Sequence, residues 1–148
     1  MSHGSILLVE DNPSDIALTK RAMEKNRITN ELIVMEDGKS ALDYLFGEGE
    51  WAGRAPSSRL AVVLLDLKLP KIDGLTVLRR IRSDPRTRRL PVVVLTSSVE
   101  EQDLAASYDL GVNSYIRKPV DFEKFVDAVG HLGMYWLLLN ELPPEAAP

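Results

Sequence analysis

Leu60-Ala61-Val62-Val63-Leu64-Leu65-Asp66 sets six apolar side chains in a row and closes them with a carboxylate. So short a run, with no alternation of apolar and polar residues, is a strand buried on both faces of a parallel sheet. Four companions surround it: Ile6-Leu7-Leu8-Val9, Leu32-Ile33-Val34-Met35, Val92-Val93-Val94-Leu95 and the weaker Ser114-Tyr115-Ile116. The intervening segments change period. Ala41, Leu42, Leu45 and Phe46 share one helical face, as do Val77, Leu78 and Ile81, and Phe122, Phe125, Val126 and Val129. Asn12-Pro13 suits the cap and first position of a helix over about residues 13–25, whose own apolar stripe is poor. Gly111 suits a left-handed helix stop and Asp121 a cap for the last helix.

Strands that alternate with helices build βαβ units with right-handed crossovers. The predicted fold class is therefore α/β, a doubly wound, flavodoxin-like, five-stranded parallel sheet of order 2-1-3-4-5. One domain is expected over residues 1–142. It carries an inserted loop over 47–59, a C-terminal extension over 131–142 and a disordered tail over 143–148. The loop is marked by Gly47, Gly49, Gly53, Pro56 and two serines, and Trp51 within it is either exposed or folded over the second helix.

Composition narrows the function. The 148 residues suit a single domain. With 18 Lys and Arg against 22 Asp and Glu, the net charge of −4 lacks the basic footprint of a nucleic-acid binder. There is no cysteine, which excludes disulfides, thiolate metal sites and a Cys nucleophile. Histidine stands only at positions 3 and 131, too few for a His-rich metal site or a Ser-His-Asp triad. No apolar run approaches the ~18 residues of a membrane span, and no signal peptide precedes the first strand. A cytoplasmic, non-membrane protein is expected.

In such sheets, sites form at the carboxyl ends of the strands. Glu10 and Asp11 follow the first strand, Asp66 the third, Thr96, Ser97 and Ser98 the fourth, and Arg117, Lys118 and Pro119 the fifth. Strands one and three are predicted neighbours, so three carboxylates converge there. Crowded like charges need an offset. A hard divalent cation such as Mg²⁺, bound through oxygen, is the usual one. Lys118 can serve as a point charge for a phosphoryl oxygen, Thr96 can donate to the same group, and an Asp can act as the nucleophile that forms an aspartyl phosphate. Together these residues make a phosphoryl-accepting site.

The constellation resembles the receiver domain of two-component response regulators. The resemblance covers about residues 5–130, on Ile6–Asn12, Leu64–Gly74, Val94–Ser98 and Ser114–Pro119, with spacings of 30 from Asp66 to Thr96 and 22 from Thr96 to Lys118. It implies that Asp66 accepts a phosphoryl group from a sensor histidine kinase. Glu10, Asp11, Asp66 and the main-chain carbonyl of Lys68 would hold Mg²⁺. Thr96 and Lys118 would contact the phosphoryl group, Thr96 and Tyr115 would form a conformational switch, and the Lys118–Pro119 bond would be cis. Gly74 would serve a turn before the third helix. The loop after the second helix, Arg86–Pro91 and the tail Met134–Glu141 are similar to the phytochrome-associated class, which implies a phytochrome-type kinase.

No output module is expected after residue 130, so the domain would signal by binding a downstream protein target or a phosphotransfer protein, and would not be an enzyme. Slow autodephosphorylation is expected, tuned by Lys68 and Ser98, which lie two residues beyond Asp66 and Thr96. The tail residues Tyr135, Trp136 and Leu138 belong to an apolar run that one domain core cannot absorb, so a homodimer is expected. A phosphate-independent interaction module is the alternative reading. A Mg²⁺-dependent phosphatase wants a second Asp where Lys68 stands, and a flavin or nucleotide binder lacks a Gly-rich loop after the first strand.

Overall fold

The computed structural model describes residues 4–53, 60–97, 100–118 and 122–132. The elements run β1 (Ser5–Val9), α1 (Pro13–Lys25), β2 (Leu32–Met35), α2 (Gly38–Phe46), β3 (Leu60–Leu65), α3 (Gly74–Ser83), β4 (Val92–Thr96), α4 (Glu101–Asp109), β5 (Ser114–Arg117) and α5 (Phe122–Leu132). All strand pairs are parallel and the order is β2-β1-β3-β4-β5, as the alternation of segments predicts.

The central strands are apolar throughout because both sheet faces are covered. Leu7, Val9, Val63 and Leu65 point to the side of α2 and α3, where Ala41, Leu42, Val77, Leu78 and Ile81 meet them. Ile6, Leu8, Val62 and Leu64 point to the other side, against Ala22 and Met23 of α1 and Phe125 and Val129 of α5. The weak stripe of α1 still buries Ala22 and Met23, and its cap forms as expected: Asn12 Oδ1 accepts the N–H groups of Ser14 and Asp15 at 2.9 and 3.2 Å. Gly111 adopts φ 73°, the left-handed backbone that ends α4. Arg82 ties α3 to its surroundings by donating to the carbonyls of Leu90, Leu110, Arg88 and Gly111.

Inside the inserted segment Gly49–Trp51 forms a short 3₁₀ turn. Trp51 folds back over α2, its ring edge-on to Tyr44 with centroids 4.9 Å apart. The rest of that loop, the Asp121 cap, Pro119 with its bond to Lys118, Ser98, and Tyr135, Trp136 and Leu138 lie outside the described residues.

Gly74 has a different role from the turn expected of it. It is the first residue of α3, behind the Asp73 cap. A Cβ there would collide with the carbonyl oxygen of Asp66 and the Cα of Leu67. The glycine lets α3 begin against the main chain of the residue that ends β3. Gly74→Ala is expected to cost about 1–3 kcal/mol of stability, the range for forced overpacking. A denaturant midpoint equal to the parent's would show that this close approach is not required.

Candidate functional site

The chain turns sharply at the carboxyl end of each central strand, and those turns bring the charged residues together. β1 pairs with β3 in the register Val9↔Leu65, so Glu10 and Asp66 leave adjacent strands side by side. The N–H of Asp66 donates to the carbonyl of Val9 at 3.0 Å, which carries the pairing one residue past β3. One oxygen from each of Glu10, Asp11 and Asp66 lies within 4.8 Å of the other two. Glu10 and Asp66 are buried and Asp11 is exposed. An all-carboxylate donor set with one open side suits a hard divalent cation.

Lys118 closes the site from the far edge. Its N–H donates to the carbonyl of Thr96 at 2.7 Å, fixing the end of β5 to the end of β4. Its ammonium donates to Glu10 at 2.7 Å, Asp15 at 2.8 Å and Asp66 at 3.2 Å. The side chains of Lys118, Glu10 and Asp66 are 13%, 2% and 6% exposed, so these are buried ion pairs and not solvated contacts. Sequence reasoning treats Lys118 as a point charge for a phosphoryl oxygen; the structure fixes it with three carboxylates and makes it a cation that offsets them.

Burial raises the pKa of Glu10 to about 7; the Lys118 hydrogen bond opposes that rise and the nearby Asp66 charge adds to it. Burial alone would lower the pKa of Lys118, but its hydrogen bonds to Asp15 and Glu10 and the charges of Asp66 and Glu10 outweigh this and raise it. Lys118 therefore stays charged across the physiological range while Glu10 titrates within it.

Thr96 ends β4 fully buried, next to the turn that carries Asp66. Tyr115 pairs with Val94 on β5 and packs against the α2–α3 core, its hydroxyl oxygen buried. The N–H of Lys68 donates to Asp66 Oδ1 at 3.1 Å, so the main chain of Lys68 lies against the carboxylate. Its ammonium points elsewhere, 3.5 Å from Asp103 and 3.8 Å from Glu100 at the start of α4. Gathered in one place are Glu10, Asp11, Asp66, Thr96 and Lys118, with Lys68 at the rim.

Asp15 is the participant that sequence reasoning misses. The available signal is its place three residues after the Asn12 cap, which turns the first turn of α1 toward the end of β1. The Lys68 contacts with Asp103 and Glu100 carry no comparable signal.

Comparison with known proteins is consistent with this geometry. The family model for the response regulator receiver domain matches residues 6–130. The probable methanogenesis regulatory protein FilR2 of Methanothrix harundinacea (strain 6Ac) is 46% identical over 142 residues, covering 95% of this chain and 88% of that protein. Response regulator Rcp1 of Synechocystis sp. is 41% identical over 138 residues, 93% of this chain and 92% of its own. The Mn(2+)-bound structure of Rcp1 superposes with a TM-score of 0.84 at 40% identity, covering 95% of this chain and 99% of that one. The phosphorylated cyanobacterial phytochrome response regulator RcpA superposes with a TM-score of 0.85 at 43% identity, covering 97% of this chain and 100% of that one.

Proposed function

The chain belongs to the response regulator receiver domain family, and from that membership we infer that it takes a phosphoryl group onto Asp66 from a sensor histidine kinase and signals through protein contacts. The observation that carries this reading is the triple anchoring of Lys118 on Glu10, Asp15 and Asp66 beside a cluster of three carboxylates. Such a site is built around an anion acceptor with a fixed cation at its side. RcpA, a phytochrome response regulator similar to this chain, supports a phytochrome-type kinase as the donor. The high coverage of FilR2 and Rcp1 supports a stand-alone regulator. A cytoplasmic site and a homodimer through Tyr135, Trp136 and Leu138 complete the proposal.

Glu10, Asp11, Asp66 and the Lys68 carbonyl would hold Mg²⁺, and the carboxylate donor set fits it. When bound, the ion neutralises the carboxylates and the incoming phosphoryl oxygens. The chain's own residues do the rest. An Asp66 oxygen forms the new bond to phosphorus while the donor's N–P bond breaks and its electron pair leaves on the imidazole nitrogen. Lys118, already oriented, turns part of its hydrogen bonding to a phosphoryl oxygen. The Thr96 hydroxyl donates to another. In moving it vacates space into which Tyr115 then rotates. One charge-assisted hydrogen bond of ~1.5–3 kcal/mol biases such a two-state equilibrium tenfold or more. Lys68 and Ser98, two residues beyond Asp66 and Thr96 in the chain, would set the lifetime of the product.

Beryllofluoride with Mg²⁺ is expected to bind the parent, and acetyl phosphate to label it once per chain. A chain that does neither is the phosphate-independent interaction module. Crystals of the free and beryllofluoride-bound forms test the switch, since an identical Tyr115 rotamer in both would remove it.

A further inference from the structure

Lys68 departs two ways from one residue. Its N–H bonds Asp66 Oδ1, so its main chain belongs to the acceptor. Its ammonium is drawn off to α4, between Asp103 and Glu100. Asp103 stands in the first turn of α4 and is almost wholly buried although charged. A carboxylate is not buried there without a compensating cation, and Lys68 reaches it from the active-site rim. The charges of Asp103 and then Glu100 raise the Lys68 pKa.

We propose that Asp103, assisted by Glu100, is a positioning residue that holds the Lys68 ammonium off the phosphorylated Asp66 and thereby sets the lifetime of the phosphoryl group. This rests on the reading of Asp66 as the acceptor. Among the described residues, the ammonium pairs at the rim with the carboxylates of Asp103 and Glu100. A phosphoryl group on Asp66 places a second, doubly charged anion within reach of the same side chain. The ammonium then divides its time between α4 and the phosphoryl oxygens. Over the phosphoryl group it blocks the approach of water; on Asp103 it leaves the approach open. In the hydrolysis so gated, water oxygen bonds phosphorus, the Asp66 Oδ–P bond breaks with its electron pair returning to the carboxylate, and the water proton passes to solvent with inorganic phosphate.

The Lys68 side chain is about half exposed and its contacts are longer than ideal ion pairs. Such pairs are weak, which suits a cation that must exchange partners. The same exchange loosens the first turn of α4, so phosphoryl lifetime and α4 mobility are coupled through one ammonium.

The test uses the full chain, labelled with acetyl phosphate and Mg²⁺ and then freed of donor. Lys68→Asn is expected to shorten the phosphoryl half-life, and Asp103→Asn to lengthen it by about threefold, the scale of a half-exposed ion pair. Asp103→Asn in a Lys68→Asn background should change nothing, because the ammonium that Asp103 positions is gone. Asp103→Glu, which keeps a carboxylate on that turn, should restore the parent half-life. An equal effect of Asp103→Asn with and without Lys68 would overturn the proposal, as would a longer half-life in Lys68→Asn. Should Asp103→Asn fail to fold, a salt series on the parent and Lys68→Asn decides instead: screening of the pair changes the parent's half-life alone, and an identical salt response in both overturns the latch. A parent that takes no label at all overturns the reading of Asp66, whereas labelling with additive lifetimes overturns only the role of Asp103.

Discussion

Asp66→Asn takes up no phosphoryl group from acetyl phosphate under conditions in which the parent is labelled once per chain. An amide oxygen is a poor nucleophile and cannot carry the new bond to phosphorus. The neighbours cannot replace it. Both oxygens of Glu10 are engaged, one by the Lys118 ammonium at 2.7 Å and one by the Asn12 N–H at 3.3 Å. Asp11 is exposed and stands outside the reach of the fixed Lys118 hydrogen bonds. The variant should melt no lower than the parent, because it removes one of several crowded like charges and leaves Lys118 with Glu10 and Asp15. Loss of label with an intact fold is thus the expected pair of results, read by hydroxylamine-sensitive radiolabel and thermal melting. Persistent labelling at the parent stoichiometry would remove Asp66 from the chemistry. A chelator should abolish labelling of the parent, since an incoming dianion would then face uncompensated carboxylates.

Lys118→Met has the larger effect on the fold. Methionine keeps the apolar stem and deletes the charge, which leaves Glu10, Asp15 and Asp66 facing one another without a cation. Removing one partner of a buried pair costs about 3 kcal/mol or more, and that loss is expected at pH 8 in the absence of divalent ions. The pH dependence follows from Glu10. Its folded pKa is raised to about 7 from an ordinary 4.5, so the native state holds a proton that the unfolded chain has released. Stability of the metal-free parent therefore falls as pH rises from 4.5 through 7, by linkage. Deleting Lys118 removes the hydrogen bond that holds this shift down, so the falling window widens upward. The stability gap between variant and parent should shrink as pH drops from 8 to 5, where Glu10 is protonated in both. Millimolar Mg²⁺ should narrow the gap at pH 8. Denaturant melts at several pH values check this, and a gap independent of both pH and Mg²⁺ would show that Lys118 is not the charge balancing the cluster. Phosphoryl uptake by the variant should also fall, for want of the cation beside the phosphoryl oxygens.

Most of the fold is legible in the sequence for a local reason. Strands such as Leu60–Leu65 and Val92–Thr96 are apolar on both faces because both faces are covered, and that requirement is written residue by residue. The Asn12-Pro13 cap and the Gly111 stop are also local, since each satisfies or frees groups within one helical turn. The placement of Glu10, Asp66, Thr96 and Lys118 follows once the strand order is known, because each leaves the carboxyl end of its own strand.

What the sequence by itself determined, then, is the parallel sheet, its order and the residues gathered at one edge of it. Only the tertiary structure decided where the long cations go. Lys118 lies 108 residues from Glu10 and 103 from Asp15, and its position among three carboxylates is chosen by Coulomb attraction between groups from three different elements. Lys68 lies only two residues from Asp66 in the chain yet sends its ammonium to Asp103, because the buried carboxylate on α4 needs a cation and the strand end already has one. Gly74 is required by the approach of α3 to the Asp66 carbonyl, which no local pattern records. Hydrophobic periodicity and capping act over a few residues and can be read along the chain. The direction of a flexible charged side chain is a competition among partners that only the folded arrangement brings within reach.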